Sequence, residues 1–347
     1  MNHPQEASSA LRARHDALVA VEPKLRIRDR AARLGVSEAE LLAAGCGVQA
    51  VSLGTDLQAV FRELGSLGEV MALSRNDWCV HERHGAYTGI EADGGPMGIV
   101  LGPDIDLRLF FGAWRYVFAV TENERHSLQF FDKSGTAIHK VYRSADTDGA
   151  AWDALVARFA SQAPVEVAPE AFAPSQDAAQ PQDSAALRAH WLGLQDTHDF
   201  FAMLRKFKVT RVGALQSAGR DLAQAVPAGA VESMLQAAAQ QALPIMCFVA
   251  NRGIVQIHTG TVERLVRTGP WFNVLDPKFN LHLDTTAIAS CWVVNKPTRD
   301  GWVTSLEAFA ANGEMIVQFF GERKPGKAEL PAWRALLQGL CSEPLAA

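Results

Sequence analysis

The residue types in this sequence best suited to chemistry are its ten histidines and five cysteines. The histidines form neither an HExxH motif nor a zinc-finger spacing, and the cysteines form no CxxC pair, so no zinc site is predicted. The sequence also has no GxSxG motif, no Walker loop and no GxGxxG motif after a predicted strand. Enzyme classes that carry such local motifs are therefore unsupported.

His198 differs from the other histidines in its setting. It lies in LGLQDTHDFFAMLRKFKV, where Asp196 or Thr197 is a candidate cap for a helix. A histidine in the first turn of a helix can present its imidazole to a ligand, and neutral imidazole is the commonest metal ligand in proteins. The residues alone leave a second interpretation open, in which His198 is a surface histidine that helps to cap the helix.

Length and composition set the frame for any such site. The chain has 347 residues, of which 48% are hydrophobic and 20% charged, which predicts about two domains with ordinary cores. The net charge of -5 disfavours broad nucleic-acid binding. The five scattered cysteines, the lack of a signal peptide and the lack of an apolar run of about 18 residues lead us to expect a cytoplasmic protein that is not membrane-embedded.

A stretch rich in Pro, Ala and Gln divides the chain near its middle. Residues 162–185 contain four prolines, one aromatic residue and no Lys or Arg, which is typical of a linker. We therefore predict an N-terminal repeat over residues 1–161 and a C-terminal repeat over residues 186–347.

The two halves resemble each other. GEVMALSRNDWCVHERHG matches LPIMCFVANRGIVQIHTG, GPDIDLRLFF matches DPKFNLHLDT, and SGTAIHKVYR matches NGEMIVQFFGER, in the same order and at similar spacing. Each half reads as helices, then alternating apolar segments, then a closing helix. The sequence thus predicts an α+β fold made by tandem duplication, with a large antiparallel sheet and flanking helices in each half.

The segment RIRDRAARLGVSEAELLAAG also resembles a DNA-binding helix-turn-helix, with a capping box formed by Ser37 and Glu40. A DNA-reading helix needs basic or polar residues early in its second helix. Glu38 and Glu40 are expected to be exposed there and to repel phosphate, so a packed helical hairpin is the preferred interpretation.

Taken together, LGEVMALSRNDWCVHERHGAY, IDLRLFFGAWRYVFAV, LQDTHDFFAMLRKFKVTR and IVQFFGER resemble the bacterial HemS/ChuS/PhuS family of cytoplasmic haem-handling proteins. The resemblance covers nearly the whole chain. It implies two similar halves, each with a large antiparallel sheet, and a haem (haem b) bound in a cleft between them.

The resemblance also implies roles for single residues. His198 corresponds to the axial ligand of the haem iron, and Arg108 to an arginine on the opposite face that can hydrogen-bond an iron-bound water or oxygen species. Phe110, two residues along the same strand, would pack against the porphyrin. Met246 is a further candidate contact, with a place in the core as its alternative.

The haem propionates need hydrogen-bond donors. By the same correspondence these are Arg211, Lys296, Gln318 and Arg323. Val317 departs from the pattern, because some relatives are expected to have a tyrosine there whose hydroxyl could bond a propionate.

Two functions are compatible with these residues. One is a carrier that accepts haem in the cytoplasm and passes it to a haem oxygenase, with the cytoplasmic side of a haem transporter as a further partner. The other is an enzyme that opens the porphyrin with dioxygen and an external reductant. Because Arg211 corresponds to Glu38 and Arg108 to His282 between the halves, we expect one haem per chain, bound by a monomer or a homodimer.

Overall fold

The structure is a computed structural model, and it describes residues 4–161, 165–324 and 326–347. The chain divides into two compact units. The first takes in residues up to Arg75 together with Glu82–Ala173 and Asn251–Gln256. The second takes in Asn76–His81, Pro174–Ala250 and Ile257–Ala347.

The N-terminal part of the chain, up to Phe159, contains five helices and nine strands within the described residues. The helices are α1 (Pro4–Val21), α2 (Ile27–Leu34), α3 (Glu38–Ala44), α4 (Leu57–Arg62) and α5 (Gly149–Phe159). The strands are β1 (Ala50–Ser52), β2 (Gly68–Arg75), β3 (Cys79–Ala86), β4 (Ile90–Glu91), β5 (Met97–Leu101), β6 (Asp106–Phe110), β7 (Trp114–Glu122), β8 (Arg125–Asp132) and β9 (Ala137–Thr147).

The remainder of the described chain repeats this inventory. Its helices are α6 (Ser184–Leu192), α7 (Asp199–Phe207), α8 (Arg211–Ser217), α9 (Ala230–Gln240) and α10 (Pro331–Gln338). Its strands are β10 (Ala223–Val226), β11 (Ile245–Ala250), β12 (Ile254–Gly260), β13 (Leu265–Thr268), β14 (Trp271–Leu275), β15 (Phe279–Asp284), β16 (Ser290–Thr298), β17 (Gly301–Phe309) and β18 (Met315–Gly321).

Strand order is the same in the two units. In the first, β1, β7, β8, β9 and β2 pair in that order, and β4, β5 and β6 pair as a second run, all antiparallel. In the second, β10, β16, β17, β18 and β11 form the equivalent run, and β13, β14 and β15 the shorter one. The predicted α+β fold and the tandem duplication are therefore confirmed.

Helices cover both faces of the longer run of strands in the second unit. Side chains of α9 and α10, such as Met234 and Trp333, pack with Leu306 and Phe319 on one face. Side chains of α6, α7 and α8 pack with Trp292 on the other face. Because successive residues of a strand point to opposite faces, each strand contributes alternate side chains to these two layers.

Short helices in corresponding places begin with side-chain caps. Ser37 Oγ accepts a hydrogen bond from the Glu40 N–H, and the Glu40 carboxylate accepts one from the Ser37 N–H, which confirms the predicted capping box. Thr210 Oγ1 caps α8 in the same way by accepting from the Gly213 N–H. The helix before each cap ends at a residue with left-handed backbone, Gly35 in one copy and Lys208 in the other.

One expectation about this hairpin is wrong. Glu38 is not exposed: it is buried, and its carboxylate accepts a hydrogen bond of 2.8 Å from Lys140 Nζ. The helix α3 packs Ala39 and Leu42 onto the sheet, and this packing brings Glu38 against strand β9.

The predicted linker stays a prediction. Its residues 162–164 lie outside the described part of the chain, and its last two residues belong to α6. Within it, Ala178 forms a parallel bridge with Val209. Among the described residues, no helix has both the length and the apolar character needed to cross a membrane.

Candidate functional site

The second unit gathers several of the predicted site residues around one buried carboxylate, that of Glu307 on β17. Arg211 makes a bidentate pair with it, donating from Nε to Oε2 and from Nη2 to Oε1, both at 2.7 Å. Lys296 Nζ, Gln318 Nε2 and Ser305 Oγ donate to Oε1 at 2.9, 2.7 and 2.8 Å. We call these five residues the Glu307 cluster.

Sheet register and a helix cap bring the Glu307 cluster together. Gln318 on β18 lies directly opposite Glu307. Lys296 on β16 lies opposite Val303, so its long side chain runs along the face that Ser305 and Glu307 share. Arg211 is the first residue of α8.

Burial and charge act in opposite directions in this cluster. Burial alone would raise the pKa of Glu307, but the positive charges of Arg211 and Lys296 hold that pKa well below its ordinary value. Burial lowers the pKa of Lys296 to about 8, against the opposing effect of the Glu307 charge. At neutral pH the two cations and one carboxylate leave a single net positive charge.

The predicted propionate donors differ in how far they remain available. Lys296 is 1% exposed and is committed to Glu307 and Ser305. Arg211 keeps 11% of its side chain exposed, and its Nη1 lies outside the bidentate pair. Gln318 is half-buried. Arg211 is thus the member of the cluster best placed to meet an anionic ligand.

His198 lies at the start of α7, as its N-cap residue, with 88% of its side chain exposed. Asp196, one of the two predicted caps, lies two residues earlier and caps the turn that leads into α7. Its Oδ1 accepts a 2.8 Å hydrogen bond from the His198 backbone N–H and lies 2.6 Å from the imidazole Nδ1. The other ring nitrogen, Nε2, therefore faces away from Asp196 and can act as a ligand.

Phe201 lies between the histidine and the Glu307 cluster and was missed by the sequence reasoning. It is 61% exposed, three residues after His198 on the same helix, and the Arg211 guanidinium carbon lies 5.5 Å from the centroid of its ring. Its neighbour Phe200 is buried. The doublet in HDFFAML was the available signal, because only one of two consecutive phenylalanines can face the core of an amphipathic helix.

Arg323 stands apart from the cluster. Its guanidinium lies 3.8 Å from Asp300. The pKa of Asp196 is lowered chiefly by the hydrogen bond from the His198 N–H, with a smaller contribution from the positive charge of Arg323. Arg323 is therefore within electrostatic range of the loop that carries His198.

Met246 lies on β11, half-buried and opposite Phe320. The next residue on the same face, Phe248, lies opposite Gln318. Met246 is thus on the sheet face that carries the Glu307 cluster. Val317 is on the other face, 1% exposed within the core against α9 and α10, away from the face that carries the Glu307 cluster.

Arg108 and Phe110 lie in the first unit, on one face of β6. Arg108 forms an ion pair with Asp106, and about a third of its side chain is exposed. Burial raises the pKa of Asp106, against the opposing charge of Arg108. Across the ladder, Phe110 is opposite Met97, which is 65% exposed.

On this face of β5 and β6, exposed apolar side chains lie beside the Arg108–Asp106 ion pair. Leu101, 56% exposed, is on the same face of β5 as Met97. Sequence reasoning missed Met97 and Leu101, because the run MGIVL gives no sign of which alternate residues are left uncovered. In both units, then, an exposed aromatic or apolar side chain lies near a partly exposed arginine.

Comparison with known proteins identifies relatives of the whole chain. The family described as "Haemin-degrading HemS.ChuX domain" matches residues 35–159 and again 208–340. The hemin transport protein HmuS of Yersinia pestis is 40% identical over 339 residues, covering 94% of this chain and 96% of the relative. The hemin transport protein HemS of Yersinia enterocolitica is 40% identical over 325 residues, covering 92% and 94%.

Solved structures agree. Holo-PhuS, a heme-binding protein from Pseudomonas aeruginosa, superposes with a TM-score of 0.93 at 46% identity, covering 98% of this chain and 99% of that one. ChuS, described as an E. coli heme oxygenase, superposes with a TM-score of 0.87 at 38% identity, covering 95% and 99%. The resemblance inferred from the sequence is confirmed: this chain belongs to the HemS/ChuX family and carries the family domain twice.

Proposed function

We propose that this chain binds haem and carries it, within the cytoplasm of a bacterium that takes up haem, to a haem oxygenase or another acceptor. The observation that carries the proposal is His198: an exposed imidazole whose Nδ1 is held by Asp196 and whose Nε2 faces outward. Neutral imidazole nitrogen is the usual protein ligand of haem iron. Relatives described as hemin transport proteins and as a heme-binding protein support this function.

The residues near His198 fit a flat ligand with an apolar ring and anionic side groups. Phe201 offers an exposed aromatic ring, and Arg211 offers a partly exposed guanidinium beside it. An aromatic face suits a porphyrin, and a guanidinium suits a carboxylate. We propose that His198 ligates the iron and that Arg211, with Gln318, meets a propionate.

The other predicted contact residues would act on haem in different ways. Lys296 acts through Glu307, because its ammonium is buried against that carboxylate. Arg323 adds positive charge near the His198 loop, and Met246 supplies an apolar contact on the same sheet face as Gln318. We propose for Arg108 and Phe110 the roles that the family resemblance implies. Arg108 would hydrogen-bond a water or oxygen species on the face of the haem opposite His198, and Phe110 would pack against the porphyrin.

Haem degradation is the second candidate function. A relative described as a heme oxygenase supports it, and the partly exposed Arg108 is the observation in this chain that favours it. Bound haem would supply the oxidation chemistry with dioxygen, and a separate protein or small molecule would supply electrons. The contribution of the chain would be to hold the haem and to direct the N–H donors of Arg108 toward the reacting side.

We also propose one haem per chain. Aligning the helix caps Ser37 and Thr210 places Leu25 at the position equivalent to His198 and Glu38 at the position equivalent to Arg211. A leucine cannot ligate iron, and the Glu38 carboxylate is already bonded to Lys140. A spectroscopic titration that reaches its end point at two equivalents would contradict this stoichiometry.

The ligand assignment is tested by titrating haem into the wild-type protein and into His198→Ala, with His126→Ala as the control. His126 is a half-buried histidine of the first unit whose ring contacts Thr121. We expect His198→Ala to shift the Soret band and to weaken haem binding by at least about tenfold, because the bond to iron is lost. An unchanged spectrum and affinity would show that His198 is not the ligand.

Carrier and enzyme are separated by incubating the haem complex in air with ascorbate, or with NADPH and a reductase, in the presence of catalase. A stable spectrum together with transfer of haem to an added haem oxygenase is expected for the carrier. Loss of the Soret band with release of carbon monoxide or formaldehyde would instead favour the enzyme. Catalase removes free peroxide, which bleaches haem without turnover.

We also propose a domain division and an oligomeric state that is either a monomer or a homodimer. The domain division stays as proposed, with repeats over residues 1–161 and 186–347 joined by a linker over 162–185. Size-exclusion chromatography with light scattering, with and without haem, distinguishes the monomer from the homodimer.

A further inference from the structure

The environment of the His198 imidazole contains a carboxylate whose placement has chemical consequences. One oxygen of Asp196, Oδ1, accepts the His198 backbone N–H at 2.8 Å and lies 2.6 Å from the ring Nδ1. The backbone N–H of Asp196 in turn donates to Asp199 Oδ2 at 3.1 Å. The loop before α7 is thus closed by its own polar groups, and the imidazole is part of that closure.

The contact with a carboxylate selects one form of the neutral imidazole. Since an ionised carboxylate only accepts hydrogen bonds, Nδ1 must carry the ring proton and Nε2 must carry the lone pair. When a metal-binding histidine donates the N–H of its non-ligating ring nitrogen to a carboxylate, this bond fixes the tautomer and the ring orientation. It also makes the ligating nitrogen more basic. An imidazole that is 88% exposed would otherwise rotate freely about its side-chain bonds.

We propose that Asp196 is a positioning residue for haem binding: it holds His198 with Nε2 outward and strengthens the iron–imidazole bond, most of all toward ferric iron. This inference rests on the proposed function, because it concerns the ligand of the haem. A more basic imidazole favours the more highly charged iron, so Asp196 biases the bound haem toward the ferric state. The effect falls on the ligand and not on the fold, since both side chains are largely exposed.

The discriminating variant is Asp196→Asn. The asparagine side-chain oxygen can still accept a hydrogen bond from the His198 backbone N–H and so preserve the loop. The negative charge of the carboxylate beside the His198 Nδ1–H is lost. Asp199→Asn is the matched control, since this carboxylate, at the first residue of α7, bonds the backbone of Asp196 and not the imidazole. Asp196→Glu restores the charge and serves as the rescue.

Three measurements on the haem complexes report on the iron–imidazole bond. In Asp196→Asn we expect affinity for ferric haem to fall about tenfold, at the low end of the range for such partners. We expect ferrous affinity to change little, so that the midpoint potential rises by about 59 mV, the one-electron equivalent of that tenfold change. The iron–imidazole stretching frequency in resonance Raman spectra of the ferrous complex should fall.

The outcomes separate this inference from the proposed function. If His198→Ala leaves the haem spectrum unchanged, the proposed function fails at this site. If His198→Ala shifts the Soret band and weakens binding while Asp196→Asn matches Asp199→Asn in potential, stretching frequency and ferric affinity, only the positioning role is overturned. A lower frequency and higher potential in Asp196→Asn, reversed toward wild type in Asp196→Glu, supports it, and circular dichroism of each variant verifies that α7 is retained.

Discussion

Substituting Glu307 with glutamine is the most demanding test of the reasoning about the second unit. The side chain keeps its shape, but it loses its charge and presents an amide donor where the carboxylate presented only acceptors. Two basic side chains, Arg211 and Lys296, are then left without the carboxylate that they both bond. Their desolvation is no longer offset by an opposite charge.

The magnitude follows from how each cation can respond. Removing one partner of a buried ion pair typically costs about 3–5 kcal/mol in the free energy of unfolding. Lys296 limits the loss, because its pKa is already lowered to about 8, and without the Glu307 charge it falls further and the amine becomes neutral. Arg211 retains some exposure. We therefore expect a loss of about 3 kcal/mol at pH 7, near the lower end of that range.

The stability difference between wild type and Glu307→Gln should also depend on pH. A lysine whose folded-state pKa lies below its unfolded value binds fewer protons when folded, so its contribution to stability rises with pH between those two values. Losing the Glu307 charge should lower this folded-state pKa further, so in Glu307→Gln the window should open at lower pH than in the wild type, where it starts near pH 8. The penalty of the substitution should therefore shrink by about 1.4 kcal/mol between pH 7 and pH 9, one pKa unit's worth.

Equilibrium urea unfolding at pH 7 and pH 9, followed by tryptophan fluorescence and circular dichroism, measures these differences, with each transition fitted separately if the two units unfold apart. The control is Glu314→Gln, an exposed glutamate at the turn before β18, which should change stability by less than about 0.5 kcal/mol. A Glu307→Gln variant within the same margin of wild type at pH 7, or a penalty that grows at pH 9, would refute the reasoning.

Three further predictions concern single substitutions. Lys296→Met removes the buried amine with the lowered pKa of about 8, so the stability of wild type relative to this variant should rise with pH from about 8 to 10.4; a pH-independent difference would contradict the assignment. Burial lowers the pKa of His139 to about 3. The unfolded state therefore binds more protons between about pH 3 and 6.5, and the free energy of unfolding falls as pH falls through that window. In His139→Gln the loss of stability between pH 6.5 and pH 5, measured by urea unfolding at both pH values, should be smaller by about 2 kcal/mol. In Gly213→Ala the new Cβ would overlap the backbone carbonyl oxygen of Ala179, which should cost at least about 2 kcal/mol. Gly229→Ala, where a Cβ meets open space and φ is -68°, should be neutral or slightly stabilising in thermal unfolding. Equal melting temperatures would show that the backbone near Gly213 yields freely.

Much of the fold could be predicted from local signals in the sequence. The alternation of apolar residues, the Ser37–Glu40 capping box and the matching blocks in the two halves depend on residues a few positions apart, and all three features are present in the structure. A repeated pattern also doubles the information, since the same order of elements is read twice. These features are determined by chain geometry and hydrophobic burial, which short stretches of sequence display directly.

The arrangement of the candidate site was less accessible from the sequence. Glu307 was not a candidate, yet it organises Arg211, Lys296 and Gln318, and Glu38 was expected to be exposed although it is buried against Lys140. The ion pair of Arg211 spans 96 positions and that of Glu38 spans 102. No local pattern reveals such a partner, because any of the 33 basic residues is compatible with a given carboxylate until the strands are in register.

By itself the sequence predicted a duplicated α+β protein that resembles the HemS/ChuS/PhuS family, and through that resemblance it made His198 the candidate haem ligand. Only the tertiary structure decided which polar residues are exposed and which neutralise one another. It left the His198 imidazole outside with Asp196 on one nitrogen, and it enclosed Lys296 with Glu307. The physical reason is that burial and ion pairing are properties of residues brought together by packing, and a charge costs little or much according to its neighbours and not its position in the chain.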